Sequence, residues 1–237
     1  MSNSTRPVLS RANLDRPPQS SSWLEITLVL GGPLLVFTLT QSLTFFSAEN
    51  LKITDGQLGL LVAFETVFGF LLVTYLHRHG WRLSTVSLPA AGRDVLRGLG
   101  VWVIGYIVCI AVLLPAWFIF PGQVMAIANT QFRGTLTLPF IVVVSAINPI
   151  FEEGLWLGYI VNGPGRERRA TTYVLSIGSR VLVHAYQGWQ ALFTIAPLGV
   201  WFLMYYLRNR RLVPVLLAHG IYDLMGLSLL RYFSASD

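Results

Sequence analysis

The chain is poor in charge. Only 12% of its 237 residues are Asp, Glu, Lys or Arg, where a soluble domain carries about 25%. That deficit excludes an ordinary water-soluble fold. The 54% hydrophobic content, gathered into long runs, says what replaces it: a polytopic membrane protein. Lysine is almost absent, Lys52 being the single one. Cysteine is equally scarce. Cys109 stands alone in an apolar run, which excludes an intrachain disulfide and a cysteine-based metal site. There is no internal repeat and no heptad pattern, and the N-terminus lacks the charged-then-apolar pattern of a cleaved signal peptide. The first 22 residues are polar and rich in Ser, Pro and Arg, and read as a disordered cytoplasmic tail. In a soluble protein the net charge of +6 would suggest nucleic acid. Here the placement of the arginines points to the lipid bilayer instead, with no nucleic-acid partner.

What is present is a series of seven apolar runs, each long enough for a bilayer crossing of about 17–25 residues. They fall near 23–46, 57–76, 96–120, 136–162, 171–189, 190–207 and 212–231. With the N-terminus inside, thirteen basic residues lie in inside segments, among them Arg78, Arg97, Arg208 and Arg211. Outside segments hold only Lys52, Arg133 and Arg231. This alternation follows the positive-inside rule. The expected fold is therefore an all-α transmembrane helix bundle of about seven spans with a cytoplasmic N-terminus. It divides into the tail (1–22), the N-terminal helices (23–135) and a C-terminal core (136–237). Trp23, Trp81, Trp189, Tyr205 and Tyr206 sit near the expected interfaces and read as anchors.

Few ionisable residues remain inside the spans: Glu65, Glu152, Glu153, Arg180, His184, His219 and Asp223. Such residues usually face the protein interior and pair with one another. All but Glu65 fall in the last four spans, so they are read as one cluster; Glu65 alone suggests helix packing or a cavity. Helix rise puts Glu152 roughly 15 Å from the inner face, His184 roughly 20 Å, His219 roughly 10 Å and Asp223 roughly 16 Å. Three helices can thus present Glu, His, His and Asp at one level. His219 and Asp223, at i and i+4, share a helix face, as do Arg180 and His184. Glu152 and Glu153 are adjacent and diverge by about 100°, so one can point at the cluster while the other points elsewhere or binds a neighbour.

Carboxylate and imidazole together suit hydrolysis. A glutamate in a dry site can act as general base toward a water, and a histidine can donate to a developing oxyanion. No serine or cysteine nucleophile stands out. Two His and a Glu also admit a zinc site, against which stand the missing HExxH and the origin of the two histidines on separate helices.

The stretch from 136 to 231 resembles the CPBP family of intramembrane proteases, the CAAX-protease and bacteriocin-processing group. That family carries EExxxR, FxxxH and HxxxN or HxxxD on successive helices. Here these read Glu152-Glu153 through Leu157, Arg180 through His184, and His219 through Asp223. The resemblance implies Glu152 as general base, His184 as its partner on the water and His219 as oxyanion donor. Asp223, where many members have Asn, orients His219 as an acceptor or acts protonated. Glu153 would be structural. Two positions depart from the pattern: Leu157 replaces the arginine, and Arg180 replaces the phenylalanine. Together they suggest that the lost guanidinium comes back from the fifth span, Arg180 pairing with Glu153.

The expected function is an intramembrane endopeptidase acting on a membrane-embedded or membrane-associated peptide or protein. The resemblance implies a glutamic, metal-independent mechanism with no cofactor, zinc being the alternative. A proton or ion relay and a non-cutting pseudoprotease are the competing readings. A prenylated C-terminus, a leader peptide and a C-terminal sorting tail all fit as substrates. Arginine in place of lysine suggests a GC-rich bacterial genome, and hence a multi-pass protein of the cytoplasmic membrane.

Overall fold

The computed structural model describes residues 22–45, 51–79, 92–124, 132–133, 136–163, 169–187, 189 and 191–234. The expected tail, 1–22, lies outside these apart from Ser22. Each apolar run carries a helix: α1 (Trp23–Phe45), α2 (Asp55–Arg78), α3 (Gly92–Ile119), α4 (Leu138–Glu153), α5 (Arg169–Val183), α6 (Ala196–Asn209) and α7 (Val213–Ser234). The fold is an all-α membrane bundle. Two two-residue strands, β1 (Leu51–Lys52) and β2 (Phe132–Arg133), pair in parallel.

Helix starts follow local chemistry. The Thr54 side chain accepts from the Gln57 backbone while Gln57 reaches back to Thr54, a capping box that opens α2. Proline in the first turn opens α4 and α6, where its missing N–H costs nothing. Within α4, Pro149 removes one helical donor. Five residues later the ladder widens into a π-helical stretch, Gly154–Ile160. A second π turn, Ala191–Ile195, leads into α6.

Among the described residues, four stretches are long and apolar enough to cross a membrane by themselves: α2, α3, Leu138–Ile160 and Val213–Tyr232. α5 has only 15 residues and ends at Val183, so the expected fifth span, 171–189, is shorter than a crossing. Its polar face is turned inward, Thr172, Ser176, Ser179 and Arg180 all being buried. α4 with its π extension is the central element: 61% of its apolar window is buried, against 11%, 17% and 22% for α2, α3 and α7. It packs on α2 and α7, while α3 packs on α6 and α7, and α5 on α1 and α6. The outer faces of α2 and α3 expose Phe70, Leu71, Ile104 and Ile107, a surface suited to lipid.

Contacts between helix ends sort by the predicted sides. The buried carboxylate of Asp94, at the start of α3, accepts from Arg211 Nε (2.8 Å) and Arg97 (3.2 Å). Tyr159 near the end of α4 donates to Glu25 at the start of α1 (3.0 Å), and Arg210 donates to Asn162 (3.3 Å). All of these lie at predicted inside ends. At the other face β1 meets β2, and the Thr137 backbone donates to Asp55 (2.9 Å).

Candidate active site

The site forms where α4 and α7 come closest. A Cβ on Gly220 would sit 2.7 Å from the Ser145 carbonyl oxygen, so only glycine allows the two backbones this approach. The approach brings His219, beside Gly220, against the end of α4 where Glu152 and Glu153 sit. The α-to-π transition begins at the next residue, Gly154. Such register shifts are common at functional sites.

Glu153 is fully buried and clamped from two sides. Arg180 of α5 donates from both terminal nitrogens, Nη1 to Oε1 and Nη2 to Oε2, each at 2.6 Å. Nδ1 of His219 lies 2.7 Å from the same Oε1. A two-pronged guanidinium–carboxylate pair fixes orientation as well as charge. The arginine is sandwiched further: its Cζ lies 4.2 Å over the Trp156 ring and 5.8 Å from that of Phe202. On its remaining side is Gly199 of α6, where a Cβ would meet Arg180 Cδ at 3.0 Å. Leu157, in the position of the family arginine, is completely buried among Phe202, Leu203, Tyr206 and Val215.

Because Nδ1 faces the anchored Glu153, Nε2 of His219 faces the other way. It lies 3.7 Å from Glu152 Oε2 and 3.6 Å from Asp223 Oδ1. Both separations exceed a hydrogen bond and suit a group held between the three. Of the two adjacent glutamates, Glu153 binds its neighbour Arg180, as expected of one of them, and both lie at the His219 ring, one toward each nitrogen. Asp223 is steadied by Asn148, whose amide donates to Oδ2 at 3.0 Å.

His184 stands differently. It follows the last residue of α5 instead of lying within the helix, and Nδ1 pairs with the Arg180 carbonyl at 2.9 Å. Its ring centroid is 6.2 Å from that of Trp156, the ring that also carries Arg180. His184 thus adjoins the Arg180–Glu153 pair. Ser179 lines a small cavity together with Glu152, its hydroxyl donating to the Leu175 carbonyl, while the Cys109 thiol donates to the Thr194 carbonyl.

Residues 134–225 match the family model described as type II CAAX prenyl endopeptidase, Rce1-like. This is the CAAX-protease resemblance that the three motifs carry. No curated protein and no solved structure matches the chain. The matched region begins at residue 134 and ends within α7. It contains Glu152, Glu153, Arg180, His184, His219 and Asp223, and also Asn148. Asn148 escaped the sequence reading, since an amide in an apolar helix is unremarkable. Its signal was the i, i+4 spacing to Glu152, which puts both on one face. Outside the matched region, Glu65 of α2 is also buried, within electrostatic reach of Glu152, Asp223 and His219.

Among the described residues, Glu152, Glu153 and His219 each offer a ligand atom within 4.8 Å of one another. A metal there fits poorly on the Glu153 side, because Arg180 already occupies both of its oxygens and a second cation would meet a guanidinium head-on. Glu152 and His219 Nε2 retain ligand chemistry.

Proposed function

We propose that this multi-pass membrane protein is an intramembrane endopeptidase that hydrolyses a peptide bond by a water activated at Glu152. The observation that carries the reading is His219 held at Nδ1 by the arginine-locked Glu153, with Nε2 turned toward Glu152 and Asp223. The Rce1-like match supports a peptidase with a membrane-associated peptide as substrate, and the family description makes a prenylated C-terminus one such substrate.

In this reading Glu152 takes a proton from water as its oxygen bonds to the scissile carbonyl carbon. His184 holds that water through Nε2, its Nδ1 being engaged by the Arg180 carbonyl. His219 Nε2 donates to the carbonyl oxygen as it becomes an oxyanion. Glu153 orients the imidazole through Nδ1, and Asp223, fixed by Asn148, lies beside Nε2 on the reacting side. The C–N bond then breaks, and Glu152 passes its proton to the leaving amine. Glu153 and Arg180 hold the frame and take no part in proton transfer. No metal is needed for these steps. The cytoplasmic N-terminus, and the bacterial cytoplasmic membrane as location, belong to the same proposal and rest on arginine placement.

The test is cleavage of membrane-anchored peptides by the purified full-length chain. The panel holds a prenylated C-terminal peptide, a leader peptide and a C-terminal sorting tail. Cleavage should occur for at least one, vanish in Glu152→Gln and His184→Ala, and persist with chelator. Loss with chelator and recovery with zinc would replace the glutamic mechanism by a metal one. A folded wild type that cuts none of the panel would favour the relay reading.

A further inference from the structure

Glu152 is enclosed. It is 5% exposed, and its Oε2 is buried with no hydrogen-bond partner among the described residues. The small cavity it lines measures about 10 Å³, room for one water and nothing larger. A peptide reaches the base only if a wall of this cavity moves. Three helices make the walls: α4, α5 through Ser179 and Val183, and α1 through Leu30, Pro33 and Leu34.

Two of these walls are fastened to each other. Arg180 joins α5 to Glu153 of α4 through two hydrogen bonds, and Ser176 of α5 donates to the Trp156 carbonyl at 3.0 Å. Parting them would take apart the frame that holds His219. α1 is built differently. It is anchored before the cavity, where Glu25 accepts from Tyr159 and where Ile26, Val29 and Leu30 are buried. Gly31, Gly32 and Pro33 follow. Glycine weakens a helix interior, and Pro33 has no N–H for the carbonyl four residues back. Helix kinks concentrate at such residues. A Cβ on Gly31 would meet nothing within 4 Å, so close packing does not account for this glycine. Beyond the triplet Leu34 covers the cavity, and its neighbour Leu35 is 61% exposed, a side chain suited to lipid.

We propose that α1 is the gate to the catalytic base: its segment after Pro33 swings on Gly31, Gly32 and Pro33, lifts Leu34 from Glu152 and opens the site sideways to the bilayer. The proposal rests on the proteolytic reading and adds a route. A larger cavity of about 470 Å³ lies between α2, α4 and the start of α7, but Phe151 borders it and Glu152 does not. The scissile segment therefore comes in beside α1. The substrate class that follows is a peptide whose scissile bond lies within the membrane.

The experiment times the opening and needs no cleavage. Ser179→Cys in a Cys109→Ser background puts a single thiol in the small cavity. The full-length chain in nanodiscs is labelled with N-ethylmaleimide, which is larger than the cavity, so the rate reports opening. Gly31→Ala favours the straight helix and should slow labelling about 5-fold. Gly69→Ala of α2, whose methyl would touch the far side of Phe151 at 3.5 Å, should leave the rate unchanged. Leu34→Ala should speed labelling on the order of 10-fold, while Leu227→Ala, an equal truncation on α7, should not. Should Leu34→Ala fail to fold, the two glycine variants decide. A rate indifferent to Gly31→Ala, or slowed by Gly69→Ala instead, would overturn the proposal. A chain whose labelling follows α1 yet cuts no peptide sinks the proteolytic reading and leaves the gate. A chain that cuts while its labelling ignores α1 sinks the gate.

Discussion

At the scale of residues, the site is organised by one committed ion pair. Arg180 and Glu153 are both buried and bind through two hydrogen bonds of 2.6 Å, so removing either leaves an uncompensated charge. Arg180→Leu should therefore lower stability by about 3–5 kcal/mol, read by thermal unfolding in detergent. Adding Leu157→Arg should recover part of the loss, because position 157 lies one turn after Glu153. A double variant no more stable than the single would show that the arginine has not simply moved from one helix to the next. The ionisable residues of this site were legible because each is an anomaly in an apolar run. Their pairing was legible from the two departures at Leu157 and Arg180. Asn148, Trp156 and Gly199 were not, since an amide, a ring and a glycine are ordinary in membrane helices. Only the folded geometry shows that they support Asp223 and Arg180.

At the scale of elements, the closeness of α4 and α7 decides whether His219 reaches the glutamates. A methyl group on Gly220 would meet the Ser145 carbonyl oxygen, a backbone atom that cannot swing aside. Gly220→Ala should thus cost about 1–3 kcal/mol and slow cleavage. Gly226→Ala on the same helix, where nothing lies within 4 Å, should be neutral or slightly stabilising. Equal behaviour of the two variants would refute the close-approach argument. The helices themselves follow from the length of the apolar runs, which is why each predicted span holds one. The π stretch at Gly154–Ile160 leaves no periodic trace in seven apolar residues. The early end of α5 was hidden because no helix stop stands before Gly188.

At the scale of the whole molecule, the account requires one consistent topology. Contacts at helix ends join α3 to the α6–α7 turn and α1 to α4 at one face, and β1 to β2 at the other. Single cysteines in a Cys109→Ser background test this with a membrane-impermeant maleimide. Arg78→Cys and Asn209→Cys should label from the cytoplasmic side, and Gly56→Cys from the opposite side. Labelling of positions 78 and 209 from different sides would break this arrangement. The sidedness expected from arginine placement rests on how charge directs insertion and not on packing, and these labels test it. A cavity was one of the two readings of Glu65; its walls, drawn from α2, α4 and the start of α7, are visible only in the folded chain.

The measurement that tests the central claim most directly sets the two neighbouring glutamates against each other. Glu152→Gln and Glu153→Gln are purified and compared for thermal stability and for cleavage of one peptide that the wild type cuts. The account predicts that Glu152→Gln melts near the wild type but falls to background cleavage. Glu153→Gln should be the one that loses stability, since it gives up the pair with Arg180. Wild-type cleavage by Glu152→Gln, in a protein that melts normally, would contradict the assignment of Glu152 as the base.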